Sequence, residues 1–320
     1  MSDKPLVTVI TLVYNSGTYV IKALESLRAQ TFFDKVENII IDDCSKDNSV
    51  ELVREWIAAN DHACTFIANE ENRGIPKNIN KALSLAKGKY YTMLCDDIWL
   101  PNYLEDQLTR IEKADDDVAL IFSDMNEIDQ HGKITHPSYL QKRGFDPENI
   151  KEGYVFDDIL KLSFIPAIAT IVKNSVLDEI GMYDERLISE DYDMWLRITK
   201  KFKVIYNADR LVQYRRHPSS FTVSGNYSLA PTKLMIFKKH WGESPQNDQL
   251  ILQKVKPLVY KCFKQGDKAL AMEWAQRIIK NSSPGFGFKL FYYLQRRDTS
   301  PRLLDFLYRV FVKLDLLNFK

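Results

Sequence analysis

The chain has 320 residues, 45% of them hydrophobic and 27% charged, the profile of a folded globular protein with one large domain or two. A formal net charge of +1 excludes a general polyanion binder, so no nucleic-acid partner is expected. The four cysteines, Cys44, Cys64, Cys95 and Cys262, form no CxxC pair; this argues against a zinc site or disulfide framework and fits a reducing cytoplasm.

The opening Met1-Ser2-Asp3-Lys4-Pro5 has no signal-peptide pattern, and no apolar run approaches the ~20 residues that span a bilayer. The expectation is a cytoplasmic protein, in solution or peripheral on the inner face of the cell membrane. Leu6 to Tyr14 is an apolar, β-prone run and predicts the first strand, with Asn15-Ser16-Gly17 as a turn. Tyr19 to Gln30 follows at helical spacing. Val36 to Asp43 predicts a second strand that ends in the acid pair Asp42-Asp43. A polar turn over 44–49 then caps a helix from Val50 to Ala59. Cys64 to Ala68 reads as a short strand, and Ile75 to Ala86 as a helix with Pro76 in its first turn. Tyr90 to Asp97 predicts a strand buried on both faces, again ending in two acids. This alternation implies parallel βαβ units and an α/β fold.

Beyond it come a helix over 102–114, a strand over 119–124 and an irregular stretch from Glu127 to Glu152, read as a flap. A helix over 154–162, a strand over 167–173 and a short helix over 174–180 follow. Ser189 caps a helix whose first turn holds Glu190, Asp191 and Asp193. Strands over 204–206 and 211–215 lead into Arg216-His217-Pro218. From Asn226 the chain reads helical, which gives an expected division into a catalytic domain over 1–225 and a helical region over 226–320. Residues 251–320 hold 14 Lys/Arg against 5 Asp/Glu, a net of +9, and the rest holds 30 against 38, a net of −8.

No GxGxxG and no GxxxxGK[ST] occurs, so neither a dinucleotide fingerprint nor a P-loop explains the sheet. What recurs is acid at strand ends, where open α/β sheets bind ligands. Asp96-Asp97 suits a hard cation that carries phosphates, and an acid such as Asp43 suits a base or sugar read by hydrogen bonds. The plainer reading of Asp97 is an N-cap for the helix that begins near Asn102.

Five segments, VTVITLVYN (7–15), IIIDDCSKDNS (39–49), ENRGIPKNINKAL with GKYYTMLCDDIWLP (71–83 and 88–101), IGMYDERLISEDYDMWLRI (180–198) and YRRHPSS (214–220), together resemble the family 2 glycosyltransferases over roughly Leu6 to Ser224. The resemblance implies a GT-A fold, a mixed sheet flanked by helices, here with a C-terminal helical extension. It implies an inverting transfer of a sugar from a nucleotide donor, a UDP-sugar, to a hydroxyl of a glycan or lipid-linked acceptor, in bacterial surface-glycan assembly. Residue by residue, Leu12, Val13 and Tyr14 would line the nucleobase pocket, and Asp43 would bond the base. Arg73 and Asn80 would lie near the nucleotide and sugar. Asp96 would hold a divalent cation, Mn2+ or Mg2+, with His217 beside it, and Asp97 would follow as a donor-site acid. Asp191 would be the catalytic base. Read alone, Asp43 is a turn cap, Arg73 an exposed loop cation, Asp191 a first-turn helix acid and His217 a structural histidine. The chain departs from the family pattern at Leu12, Ile79 and above all Leu94, which stands where the motif carries its first acid.

Leu94 motivates an alternative, a non-catalytic nucleotide-sugar-binding or scaffold protein on a decayed transferase fold. A nucleotidyltransferase is a third reading, but only Gly17 lies where its Gly-rich phosphate loop belongs. In the C-terminal region, 301–319 reads as a basic amphipathic helix that either touches an anionic membrane surface or packs on the catalytic domain or a second subunit of a homodimer.

Overall fold

The structure, a computed structural model, describes residues 4–60, 64–218, 220 and 229–295. Two compact units emerge: one of residues 1–186 with 190–224, the other of 187–189 with the chain from 225 onward.

The first unit carries a seven-stranded mixed sheet. Its strands are β1 (Val7–Val13), β2 (Val36–Asp42), β3 (Cys64–Ala68), β4 (Tyr90–Leu94), β6 (Val118–Ser123), β9 (Thr170–Lys173) and β10 (Lys203–Asn207), in the order β10-β6-β9-β4-β1-β2-β3. The pairs β1–β2, β1–β4 and β2–β3 are parallel, as the alternation of strands and helices predicts. Beyond β4 the pattern changes, because β9 runs antiparallel to both β4 and β6. Helices α1 (Thr18–Arg28), α2 (Ser49–Asn60), α3 (Ile75–Leu83) and α4 (Tyr103–Glu112) connect or follow the first strands.

Strands β1, β4 and β6 are buried along nearly their whole length, which is why they read as unbroken apolar runs. Leu94 is fully buried and packs with Val9, Trp99, Tyr103 and Leu104 in the main core. The entry to β4 is tight. A Cβ on Gly88 would stand 2.4 Å from the Thr8 amide nitrogen, so glycine alone fits there.

A second, four-stranded sheet joins pieces far apart in sequence. Its order is β5 (Ile98–Trp99), β11 (Val212–Arg215), β7 (Asn126–Ile128) and β8 (Ile134–His136). The stretch read as an irregular flap therefore contains two strands, as well as the short helix α5 (Tyr139–Lys142). Strand β5 pairs antiparallel with β11, Ile98 opposite Gln213 and Trp99 opposite Val212. This pairing brings the residues after β11 back to the acids after β4. The helices α6 (Phe156–Lys161), α7 (Leu177–Ile180) and α8 (Glu190–Lys201) complete the unit.

The described part of the second unit contains the helices α9 (Ala230–Lys239), α10 (Pro245–Lys264), α11 (Lys268–Asn281) and α12 (Phe286–Gln295). Ser244 and Asp267 cap α10 and α11, accepting from the amides of Asn247 and Leu270. Trp274 is fully buried, and its indole donates to the Leu234 carbonyl at 3.1 Å. The helix expected over 301–319 lies outside the described residues. No helix among the described residues is long and apolar enough to cross a membrane.

Candidate functional site

Asp96 and Asp97 sit just beyond β4, and the chain leaving β11 closes over them. Arg215 makes the closure. Its backbone amide donates to Asp97 Oδ1 at 2.9 Å and its Nε to the Asp96 carbonyl at 2.9 Å. Its Nη1 reaches the carbonyls of Asp129 and Gln130 at 3.3 and 3.4 Å. Two residues on, His217 Nε2 lies 3.0 Å from Asp96 Oδ2. The Tyr19 ring, on α1, underlies both: it stacks on the His217 imidazole at 4.5 Å and sits 5.2 Å from the Arg215 guanidinium carbon.

Three polar atoms of this cluster are buried without a partner: Asp96 Oδ1, His217 Nδ1 and Arg215 Nη2. Buried polar atoms in folded proteins are almost always paired, so a trio in one place needs an explanation. Asp97 is the opposite case. It is 3% exposed, spends Oδ1 on Arg215 and does not cap α4. Burial, with Asp96's charge adding to it against the pull of Arg215, pushes its carboxyl up to about 7.

The pair Asp96–His217 fits a hard divalent cation. Such an ion takes one or two protein ligands and fills the rest of its shell with water and phosphate oxygens. The orphaned Asp96 oxygen is the kind of atom that it would occupy. Among the described residues no group of three or more His, Cys, Asp or Glu could hold a metal without such help. Leu94 does not take part, because its side chain points into the core.

Asp191 stands in the first turn of α8, half-buried, and Oδ1 accepts from the Tyr192 amide at 2.7 Å. Its neighbour Glu190 is 8% exposed. Burial, then the charge of Asp191, raises the Glu190 carboxyl well above the usual range. The Cys95 thiol is raised by burial and by Asp97, Asp96 and Glu190 in turn, so these carboxylates share one electrostatic neighbourhood.

At the end of β2, most of the Asp43 carboxylate is taken up by a loop. Oδ1 accepts from the Arg73 amide at 2.7 Å and from Asn69 Nδ2 at 3.1 Å, and Oδ2 accepts from the Gly74 amide at 2.9 Å. A carboxylate has about four acceptor positions, so one is left for a ligand donor. The Arg73 side chain is about half exposed, with Glu71 3.7 Å away. Of the three residues expected to line a base pocket, Leu12 is half-buried and Tyr14 is 53% exposed. Val13 is a correction: strand alternation turns its side chain into a core of Val20, Leu24, Ile40, Val53 and Trp56. Only its backbone remains nearby, its carbonyl accepting from the Asp43 amide at 2.8 Å.

Asn80 is not free for a donor either. Nδ2 donates to the Tyr183 carbonyl at 2.9 Å and to Glu185 Oε1 at 3.0 Å, and Oδ1 accepts from the Tyr183 amide at 3.0 Å. The structure therefore gathers Asp96, Asp97 and His217 into one cluster, sets Asp43 in a second and spends Asn80 elsewhere. Sequence reasoning missed Arg215, Tyr19 and Glu190. Arg215 stands in the YRRHPSS segment two residues before His217 and Glu190 stands next to Asp191, while nothing marked Tyr19.

The model of the family described as Glycosyl transferase family 2 matches residues 8–181. An uncharacterized glycosyltransferase of Methanocaldococcus jannaschii is 35% identical over 221 residues, which cover 67% of this chain and 71% of that protein. TuaG of Bacillus subtilis, named as a candidate teichuronic acid biosynthesis glycosyltransferase, is 30% identical over 240 residues, 74% of this chain and 86% of TuaG. Some relatives are longer: in one from Rickettsia felis, at 28% identity, the match spans 34% of the protein. Among solved structures, residues 1–349 of Staphylococcus aureus TarS in complex with UDP-GlcNAc superpose with a TM-score of 0.62 at 17% identity, over 95% of this chain and 89% of that one. A mannosyltransferase of Pyrobaculum calidifontis in complex with GDP-Man and Mn2+ gives 0.54 at 17%, over 98% and 89%. At that identity the likeness is one of fold, the GT-A fold.

Proposed function

Since the chain belongs to glycosyl transferase family 2, we propose that it is an inverting enzyme that moves a sugar from a UDP-sugar to a hydroxyl of a glycan or lipid-linked acceptor by direct displacement. The observation that carries this reading is the Asp96–His217 pair, its histidine buried and its aspartate partly so, with the orphaned, buried Asp96 Oδ1 at the end of β4. Asp96 and His217 would hold a divalent cation there, which would supply Lewis-acid neutralisation of the diphosphate leaving group.

The chain's own residues do the rest. Arg215 holds the Asp96–Asp97 turn in place and offers Nη2 as a donor for an anionic oxygen of the leaving group. Asp43 keeps the loop at Arg73 and Gly74 beside the base and has an acceptor position for a base N–H. The Arg73 guanidinium, half exposed in the same loop, is the cation this reading assigns to the phosphates. Leu12 and Tyr14 flank the base. Asp191 takes the proton of the acceptor hydroxyl as its oxygen attacks the anomeric carbon from the face opposite the leaving group. One displacement needs one base and forms no covalent intermediate, so the anomeric configuration inverts.

The scaffold alternative drew on Leu94. That side chain lies in the core, so its identity says nothing about the site. The net charge of +9 over residues 251–320 supports contact with an anionic membrane surface on the acceptor side. Vesicle flotation at low salt tests it, and absence of binding removes it.

Calorimetric titration of UDP, then GDP, with and without Mn2+ tests the core of the reading. Metal-dependent binding of UDP over GDP is expected. Preference for GDP would reassign the donor, and absence of both would overturn the nucleotide site.

A further inference from the structure

We infer that Asn80 is a positioning residue for the acid-bearing helix α8 rather than a donor ligand, an inference that rests on the transferase reading above. The amide of an asparagine has two N–H donors. Both hydrogens of Asn80 Nδ2 are engaged, one by the Tyr183 carbonyl and one by Glu185 Oε1. With Oδ1 accepting from the Tyr183 amide, the side chain pairs with both the N–H and the C=O of one residue, as a strand neighbour would. No donor remains for a nucleotide or sugar.

The segment so held is locked at two further points. The Tyr183 hydroxyl lies 3.3 Å from that of Tyr91, and both residues are buried. Tyr91 belongs to β4, the strand that delivers Asp96. On the other side, Arg197 of α8 closes on the carbonyls that precede Tyr183. Nη1 donates to Ile180 and Gly181 at 2.6 and 3.1 Å, and Nη2 to Met182 at 3.0 Å. Arg197 is itself fixed by Asp193, whose carboxylate is fully buried and lies 2.9 Å from Nε. Gly181, at φ 77°, makes the turn that presents those carbonyls together.

The result is a rigid relay. Asn80 on α3 and Tyr91 on β4 grip Tyr183, and Arg197 ties the three preceding carbonyls to α8. Asp191 lies in the first turn of the same helix, less than two turns from Arg197. The relay thus fixes where the base stands relative to the strand that carries the cation ligand. Misplacing a catalytic group by about 1 Å costs on the order of 10²-fold in rate, and such an effect falls on turnover, not on donor affinity.

The test uses the full chain with Asn80→Ala, and with Tyr183→Phe as a second variant in case the first does not fold. Three quantities are read: nucleotide affinity with Mn2+, turnover of the donor, and amide hydrogen exchange over residues 180–193. Expected for Asn80→Ala are a loss of turnover of roughly 30- to 100-fold, affinity for UDP within about twofold, and faster exchange at Tyr183 and in the first turn of α8. Tyr183→Phe is expected to shift turnover and exchange in the same direction by less. A weakened nucleotide affinity with turnover per bound donor retained would make Asn80 a donor ligand and overturn the proposal. Unchanged turnover with a lowered Tm would make the clamp merely structural and overturn it as well. If the wild-type chain binds no nucleotide, the transferase reading fails separately. Exchange then decides the clamp by itself: acceleration at Tyr183 and α8 upholds it, and none overturns it.

Discussion

At the end of β2 the Asp43 carboxylate accepts from two backbone amides and one side-chain amide, whereas at the end of β4 one Asp96 oxygen is buried with no partner. The two strands flank β1 on either side, and both end in acid pairs that look alike in sequence. Their polar atoms are used differently. Those of Asp43 are spent on building a loop, with little left over. Those of Asp96, His217 and Arg215 are held in reserve. Reserve of this kind is most often completed by water, an ion or a ligand. The contrast separates residues that shape the site from residues that receive the ligand, a distinction that residue type alone does not make.

Substitutions sharpen the contrast, and the largest effect belongs to the proposed base. Asp191→Asn should lower turnover by about 10²–10⁴-fold while UDP affinity stays close to that of the wild type, measured by steady-state kinetics beside calorimetry. Near-normal turnover would remove Asp191 from the mechanism. Leu94→Asp is the next largest, and it acts on stability. A lone carboxylate in the core should cost about 3 kcal/mol or more, read from urea unfolding, with no gain in Mn2+ affinity. A tighter metal site in that variant would show that position 94 faces the ligand after all. His217→Ala should weaken Mn2+-dependent UDP binding on the order of 10- to 100-fold, with metal-free binding hardly altered. An equal loss in both conditions would return His217 to a structural role.

Asp43→Asn tests the spent side of the comparison. An amide group in place of one carboxylate oxygen turns a donor toward the Arg73 or Gly74 N–H, and the loop should lose about 1–3 kcal/mol, visible as a lower urea midpoint even without nucleotide. The smallest effect concerns pH. Burial raises the folded-state pKa of Glu190, so the unfolded chain releases that proton first as pH rises. Its contribution is therefore fully present below the unfolded carboxyl value of about 4.3 and is lost as pH climbs toward the folded one. Glu190→Gln should gain on the wild type steadily over that range in thermal unfolding, and a constant difference would mean that the carboxyl ionises freely in the fold.

Strands β1, β2 and β4 were legible because each is an apolar run bounded by a turn, and burial on both faces produces that pattern directly; the acid pairs stand out at the ends of β2 and β4, while β3, a partly exposed edge strand, was legible from its β-prone residues. Strands β5, β7 and β8 have two or three residues each, too few for any period, so the flap reading was natural. The resemblance sets Val13 in the base pocket, and strand alternation turns its side chain into the core instead. The acids Asp43, Asp96 and Asp191 could be singled out from motif order. What Asn80 touches could not, because its partners lie 103 and 105 positions away. Arg215 was hidden for the same reason. A buried guanidinium that bonds backbone carbonyls leaves no trace in composition or spacing.

The pairing of Asp96 with His217 spans 121 positions of chain. During synthesis, β1 to β4 can assemble as soon as residue 94 or so has emerged, since their partners are local in sequence. Asp96 and His217, the proposed cation ligands, meet only after more than another hundred residues have been made and β11 has docked beside β5. A nascent or truncated chain that stops short of that point can thus hold a partly formed sheet and the loop at Asp43 without the Asp96–His217 pair. On the proposed reading, cation-dependent nucleotide affinity then arrives late, and it reports whether β11 has docked beside β5.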